Sequence, residues 1–257
     1  MKLTLLGSGT STGVPVPGCQ CLVCRSSNPR NKRLRTSAAL QREDGTTLLI
    51  DASSDFRQQA LRADLRRVDA VLFTHSHADH ILGIDDLRAF NFIQKKAIPC
   101  YATKETLRDI RHIFSYVFNP DPKYLGGGIP KLDLHEIDGE SPFEVEGVLV
   151  QPLPVLHGPL PVTGYRFGDL AYLTDVKEIP PATLARVQGV KYLLLDGLRH
   201  EAHKTHLTIS EAVEVAKMIG AQHTWLIHMT HTVDHEMTEA ALPPSIRLGY
   251  DGLTIEF

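Results

Sequence analysis

Apolar residues in this chain come largely in short unbroken runs, and several of those runs end in a histidine or an aspartate. Val71-Leu72-Phe73 leads into Thr74-His75-Ser76-His77-Ala78-Asp79-His80, Lys191 to Leu195 ends at Asp196, and Thr224 to Ile227 delivers His228. An apolar run with no polar alternation, bounded by turn signals, reads as a short buried strand. Further strands are predicted at Lys2 to Leu6, Ser37 to Gln41, Thr46 to Ile50, Ala97 to Tyr101, Lys131 to Ile137, Phe143 to Val145, Val148 to Leu153, Gly164 to Phe167 and Leu170 to Leu173. Helical patterns cover Asp55 to Ala63, Ile81 to Phe90, Lys104 to Tyr116 and a short stretch opened by Pro180-Pro181 and closed by Gly189. The clearest helix is Thr208 to Gly220, where Thr208 and Glu211 form a capping box and Ile209, Ala212, Val213, Ala216 and Ile219 line one face. The breaker-dense stretch from Asn119 to Pro130 is predicted to be a loop and a candidate lid.

Composition narrows the class without deciding it. The 257 residues suffice for an ordinary core, and 27 Lys+Arg against 30 Asp+Glu give no general attraction to nucleic acid or membrane. The opening Met1-Lys2-Leu3-Thr4-Leu5-Leu6-Gly7 is broken by glycine too early for a signal peptide, and no apolar run approaches the ~20 residues that span a bilayer. Three of the 4 cysteines crowd into Cys19-Gln20-Cys21-Leu22-Val23-Cys24, a layout suited to a metal and to a reducing, cytoplasmic setting. No linker or repeat divides the chain, so one domain over 1-257 is expected, with a small cysteine-bearing insertion at about 15-36.

The strand-end residues carry the candidate chemistry. His-x-His-x-Asp-His directly after a strand places imidazoles and a carboxylate on a loop at the sheet's carboxyl edge, and these are ligands that zinc and similar ions accept. Collecting such positions gives His75, His77 and His157 for one ion and Asp79, His80 and His228 for a second, with Asp175 able to bridge them. Asp51, ending its own strand, reads as a group that orients ligands. Cys19, Cys21 and Cys24 leave a tetrahedral zinc one ligand short, and His231 is the candidate fourth. The glycine-rich turn Gly7 to Gly13 lacks a P-loop ending; a tight backbone path, lending amides to a bound oxyanion, is expected instead. The basic segment Arg25 to Arg35 reads either as an anion-steering patch or as a solvated face.

On these motifs the chain resembles the metallo-β-lactamase superfamily, and within it the phosphonate-pathway phosphodiesterases that open phosphoribosyl 1,2-cyclic phosphate. The resemblance implies an α+β fold, a four-layer αββα sandwich of two mixed sheets flanked by helices. It implies a structural zinc on Cys19, Cys21, Cys24 and His231, and a catalytic role for His206 beside that of Asp79. The activity implied is hydrolysis of a small phosphodiester by a hydroxide bridging two divalent ions, zinc or manganese with iron or nickel as further options, in a homodimer. Rival readings share the motif: a lactonase, thioesterase or β-lactamase-like hydrolase, a tRNA 3′-end nuclease, a redox di-iron protein, and a non-catalytic metal scaffold. The acidic balance of the chain opposes the nuclease, and His77 stands where the di-iron branch carries Glu. His200 and His203 receive no role.

Overall fold

A computed structural model describes residues 1–120 and 128–257. The first sheet has the order β14-β1-β2-β3-β4-β5-β6, built from β1 (Lys2–Gly7), β2 (Ser37–Gln41), β3 (Thr47–Ile50), β4 (Ala70–Leu72), β5 (Ile98–Thr103), β6 (Leu132–Ile137) and β14 (Thr254–Glu256). The second has the order β13-β12-β11-β10-β9-β8-β7, from β7 (Phe143–Val145), β8 (Val148–His157), β9 (Leu160–Phe167), β10 (Leu170–Leu173), β11 (Tyr192–Asp196), β12 (His223–Ile227) and β13 (Ile246–Leu248). In each sheet a run of neighbours is parallel, β3 to β6 in one and β10 to β13 in the other.

The two sheets face one another, and this explains why their central strands are continuously apolar. Leu48, Ile50, Leu72, Leu194 and Ile227 point into the space between the sheets, where they meet Tyr165, Phe167 and Tyr172. The intervening Leu49 and Val71 point the other way, onto Phe56 and Ala60 of α2 (Phe56–Arg62), Phe90 and the following helices. Leu193 and Leu195 likewise pack on Ile209, Ala212, Ala216 and Ile219. Strands buried on both faces need no polar alternation. Helices thus close both outer faces, which makes the αββα sandwich that the resemblance implied.

Several boundaries differ from expectation. The run expected as one helix from Ile81 to Phe90 is split into α3 (Ala78–Ile81), a 3₁₀ turn (Ile84–Leu87) and α4 (Arg88–Gln94). Gly83 sits at the break because a Cβ there would lie 2.0 Å from the Ser53 carbonyl oxygen, so the two backbones touch. β8 continues past Leu153 to His157, running through Pro152 and Pro154. β7 pairs only with Val148 to Val150, and the next bridge on that side of β8 is at Leu156 with Glu178, so at Pro152 and Pro154 missing amides cost no ladder bond. The Lys104 to Tyr116 pattern divides into α5 (Lys104–Ile113) and α6 (Ser115–Phe118). Most of the candidate lid, 121–127, lies outside the described residues. Among the described residues no helix is long and apolar enough to cross a membrane.

Two expectations about the first residues are narrowed. The amides of Ser8, Gly9, Thr10 and Gly13 are already bonded to Asp251 Oδ1 and to the carbonyls of Leu34, Met229 and Thr10, so these four are taken up by the fold. Within the basic segment, Arg33 is buried and donates to the Thr230 and Val233 carbonyls and to Asn31 Oδ1, while Arg35 pairs with Asp55 at 2.9 Å. These two guanidiniums are held by the fold and do not form an anion-steering patch.

Candidate metal centre

Parallel strands place their carboxyl ends along one edge of each sheet, and the candidate residues gather where the two edges meet. Thr74 to His80 follow β4, Asp51 follows β3, His157 ends β8, Asp175 follows β10, Asp196 ends β11 and His228 follows β12. Asp51, Asp175 and His228 have φ of 58°, 57° and 63°. Left-handed backbone at a residue other than glycine costs on the order of 1–3 kcal/mol and persists where surrounding structure enforces it. Each of the three is the first residue beyond its strand or close to it, so the chain turns sharply there. Asp79 and His80 are corrected in one respect: they lie in the short helix α3, not on a loop.

The side chains are fixed from behind. Asp51 is fully buried and accepts from the Thr74 amide (2.8 Å), Thr74 Oγ1 (2.8 Å) and His80 Nδ1 (2.7 Å). His75 Nδ1 meets Thr74 Oγ1 at 3.0 Å, His157 Nδ1 donates to the Thr205 carbonyl at 2.7 Å, and His206 Nδ1 donates to Asp196 Oδ2 at 3.0 Å. Outer partners of this kind set which ring nitrogen is left over. Here Nε2 is left over, and on His75 and His80 it is buried with no hydrogen-bond partner; on His228 both ring nitrogens are buried without one.

Those nitrogens surround Asp175. Its carboxylate oxygens lie 3.3 Å from His80 Nε2, 3.5 Å from His228 Nε2 and 4.0 Å from the Nε2 atoms of His75 and His206. Asp79 Oδ2 lies 3.4 Å from His80 Nε2 and 3.5 Å from His228 Nε2. Ligand atoms within 4.8 Å of one another form the sets His77, His157 and Asp175; His75, His80 and Asp175; Asp79, His80 and His228; and Asp175, His206 and His228. The structure therefore brings all seven expected ligands together with His206. The sets overlap through His80, Asp175 and His228, and the His75 ring lies 4.5 Å from that of His77 and 4.3 Å from that of His80. All are buried except His77, which opens to solvent and marks the mouth.

Ionisation follows from this crowding. Burial opposes charge on His80, yet Asp175, Asp51 and Asp79 raise its pKa well above the ordinary value. The same balance, with Asp175 and Asp79 outweighing burial, raises His228 to about 9. Burial and the neighbouring His80 push His75 well below its usual value. Asp175 and Asp79 resist the effect of burial because His80 and His228 hold them well below the carboxylate range. Buried carboxylates ringed by imidazole nitrogens without partners fit divalent cations, which would replace the shared protons.

A second cluster includes His231, three positions after His228 in the chain. Cys19 Sγ and Cys21 Sγ are 3.5 and 3.4 Å from His231 Nδ1, and with Cys24 they form one compact ligand set. The Cys24 amide and His231 lower Cys21 to about 6, whereas burial raises Cys24 to about 11. A bound cation would deprotonate all three. Cys100 is separate and buried, as a filler should be. Of the unassigned histidines, His200 Nε2 contacts Thr238 Oγ1 at 3.2 Å, and the His203 ring lies 5.1 Å from that of His206.

Sequence reasoning assigned Asp51 a supporting role but gave none to Asp196. The signal was present: Leu48-Leu49-Ile50-Asp51 and Leu193-Leu194-Leu195-Asp196 are the same pattern, an apolar strand ending in a carboxylate.

Comparison with known proteins agrees with this architecture. The profile described as "Beta-lactamase superfamily domain" matches residues 46–229. A solved structure described as a new diphosphatase from the PhnP family is 43% identical, with a TM-score of 0.92 over 100% of this chain and 96% of that one. Zn(2+)-bound PqqB from Methylobacterium extorquens shares the fold at 21% identity, with a TM-score of 0.81 over 100% of both chains. A protein named octanoyltransferase from Porphyromonas gingivalis is 43% identical over 255 residues, covering 98% of this chain but 51% of its own length, so the chain spans about half of that relative. On the profile match and on identity sustained along the whole of the diphosphatase, the chain belongs to the beta-lactamase superfamily and has the fold of its metal-binding hydrolases.

Proposed function

We propose that the protein is a two-metal phosphodiesterase acting on a small, preferably cyclic, phosphodiester. The observation that carries the reading is the set of buried Nε2 atoms on His75, His80 and His228, without hydrogen bonds and gathered about Asp175. His77 and His157 stand at one end of this cage and Asp79 and His228 at the other, with Asp175 reaching both. Two divalent ions held there, zinc or manganese by ligand type, would supply Lewis acidity toward a phosphoryl group and lower the pKa of a water toward ~7. His206 keeps Nδ1 on Asp196 and presents Nε2 beside Asp175, where it can stabilise charge on a non-bridging oxygen or protonate a leaving alkoxide. Asp79, against His80 and His228, helps to orient the nucleophile. Cys19, Cys21, Cys24 and His231 supply a complete tetrahedral set and would hold a structural zinc with no open position.

Resemblance to a PhnP-family diphosphatase favours phosphoryl over acyl chemistry. The relative named octanoyltransferase favours an acyl substrate, but no thiol is available beside the cage for acyl transfer: Cys100 is fully buried and the other cysteines form the second cluster. The deciding experiment gives zinc- or manganese-loaded protein bis(p-nitrophenyl) phosphate, a lactone and an octanoyl thioester in parallel. Turnover of the diester is expected. Preference for either carbonyl substrate overturns the phosphodiesterase reading.

A further inference from the structure

We propose that Asp196 is a positioning residue shared by two imidazoles of the cage, setting the proton-bearing nitrogen of His206 and orienting His228 while bracing the backbone next to Asp175. The proposal rests on the two-metal reading for His228 and on geometry alone for His206.

Asp196 ends β11, the strand between the two that deliver Asp175 and His228. The parallel register sets Leu195 opposite Leu173 and Asp196 opposite Ile227, so the carboxylate emerges level with both neighbours. It is fully buried. Oδ2 accepts from His206 Nδ1 at 3.0 Å, the Val176 amide at 3.1 Å and the Leu207 amide at 3.3 Å. Oδ1 has no hydrogen bond among the described residues, and the nearby His228 Nδ1, 3.8 Å away, has none either. The His206 and His228 rings lie nearly parallel, 15° apart with centroids at 4.8 Å, so both present Nδ1 to the same carboxylate.

Three consequences follow from an acceptor that already receives two backbone N–H groups. An ionised carboxylate cannot donate, so His206 carries a proton on Nδ1 and turns Nε2 to the cage. An ion on His228 Nε2 requires that ring's proton on Nδ1, where Asp196 Oδ1 is the acceptor at hand. The Val176 amide is pinned immediately after Asp175, whose backbone is left-handed, so the same side chain supports the turn that aims the shared carboxylate. On the other sheet Asp51 serves one imidazole, His80. Asp196 serves two.

The test uses ¹⁵N-labelled full-length protein, stripped of metal at the cage, and the Asp196→Asn variant. Long-range ¹H–¹⁵N spectra of the wild type should show His206 protonated on Nδ1; a neutral ring protonated only on Nε2 overturns the proposal without any variant. In Asp196→Asn the amide oxygen must stay with the Val176 and Leu207 amides, and so with His206, while its NH₂ takes the place of Oδ1 and His228 Nδ1 loses its acceptor. Zinc competition against a chromophoric chelator should show cage affinity reduced about 10–100-fold, with the cysteine site unchanged as an internal control. Cage affinity within about twofold, in a folded variant, overturns the proposal alone. A wild type that takes up no zinc beyond the cysteine site overturns the two-metal reading and the claim on His228 with it.

Discussion

The two candidate metal-ligand clusters of this chain come within three positions of each other in sequence, at His228 and His231, and they are built on opposite plans. In the cage, ligands come from the ends of several strands in both sheets, His75, His80, His157 and His206 are tied from behind, and a carboxylate stands in the middle. In the cysteine cluster, three thiols come from one short stretch and only His231 comes from far away. A group of soft ligands that fills four positions leaves nothing for a substrate, whereas imidazoles and carboxylates spread over a wider cage can hold ions with positions to spare. On the proposed reading, the difference would separate an ion that does chemistry from one that fastens loops.

The sharpest way to break this contrast is to remove the shared carboxylate. Asp175→Ala should release metal from the cage and lower diester turnover on the order of 10³-fold or more, with the cysteine-site zinc retained. Elemental analysis showing a full metal complement would count against the bridging role. His206→Ala should retain all metal and cut kcat by roughly 10²–10⁴; unchanged turnover removes it from the mechanism. Cys21→Ser should do the reverse. Losing a bound ion costs about 3 kcal/mol at 100-fold saturation, so thermal unfolding should move down by several degrees while kcat per active cage stays within about threefold. Thermal unfolding insensitive to that change would mean that the cluster does not fasten the fold.

A pH experiment gives the smallest but most specific effect. His228 and His80 are raised by carboxylates, His228 to about 9, and must lose protons when an ion takes Nε2. Metal uptake near pH 7 should therefore release protons, and apparent cage affinity should rise from about pH 6.5 toward 9. The sign for the ion-free protein is opposite: raised imidazoles stabilise it fully below about 6.5, and that contribution is lost as pH rises through about 9. Calorimetry in buffers of different ionisation enthalpy measures the released protons, and zero release contradicts the assigned charges.

How much of this was legible in the chain depended on range. His75, His77, Asp79 and His80 were readable because their spacing is local, and the buried strands because unbroken apolar runs need no partner to be seen. The role of Asp196 was not readable, since nothing in Leu193-Leu194-Leu195-Asp196 says which imidazoles the parallel register will bring to it. Nor were β13 and β14 found: three residues are too few to show a period, and each exists by pairing with a strand laid down earlier. α3 escaped because four residues around metal-ligand spacing look like a loop until His80 returns its amide to the His77 carbonyl.

The Cys19–His231 contact joins positions 212 residues apart. A nascent chain therefore displays its thiols long before the imidazole that completes their site has left the ribosome. Zinc captured early would have only part of its final grip. On the structural-zinc reading, an ion held there would gain its fourth ligand only once β12 has docked and carried His231 to the three thiols.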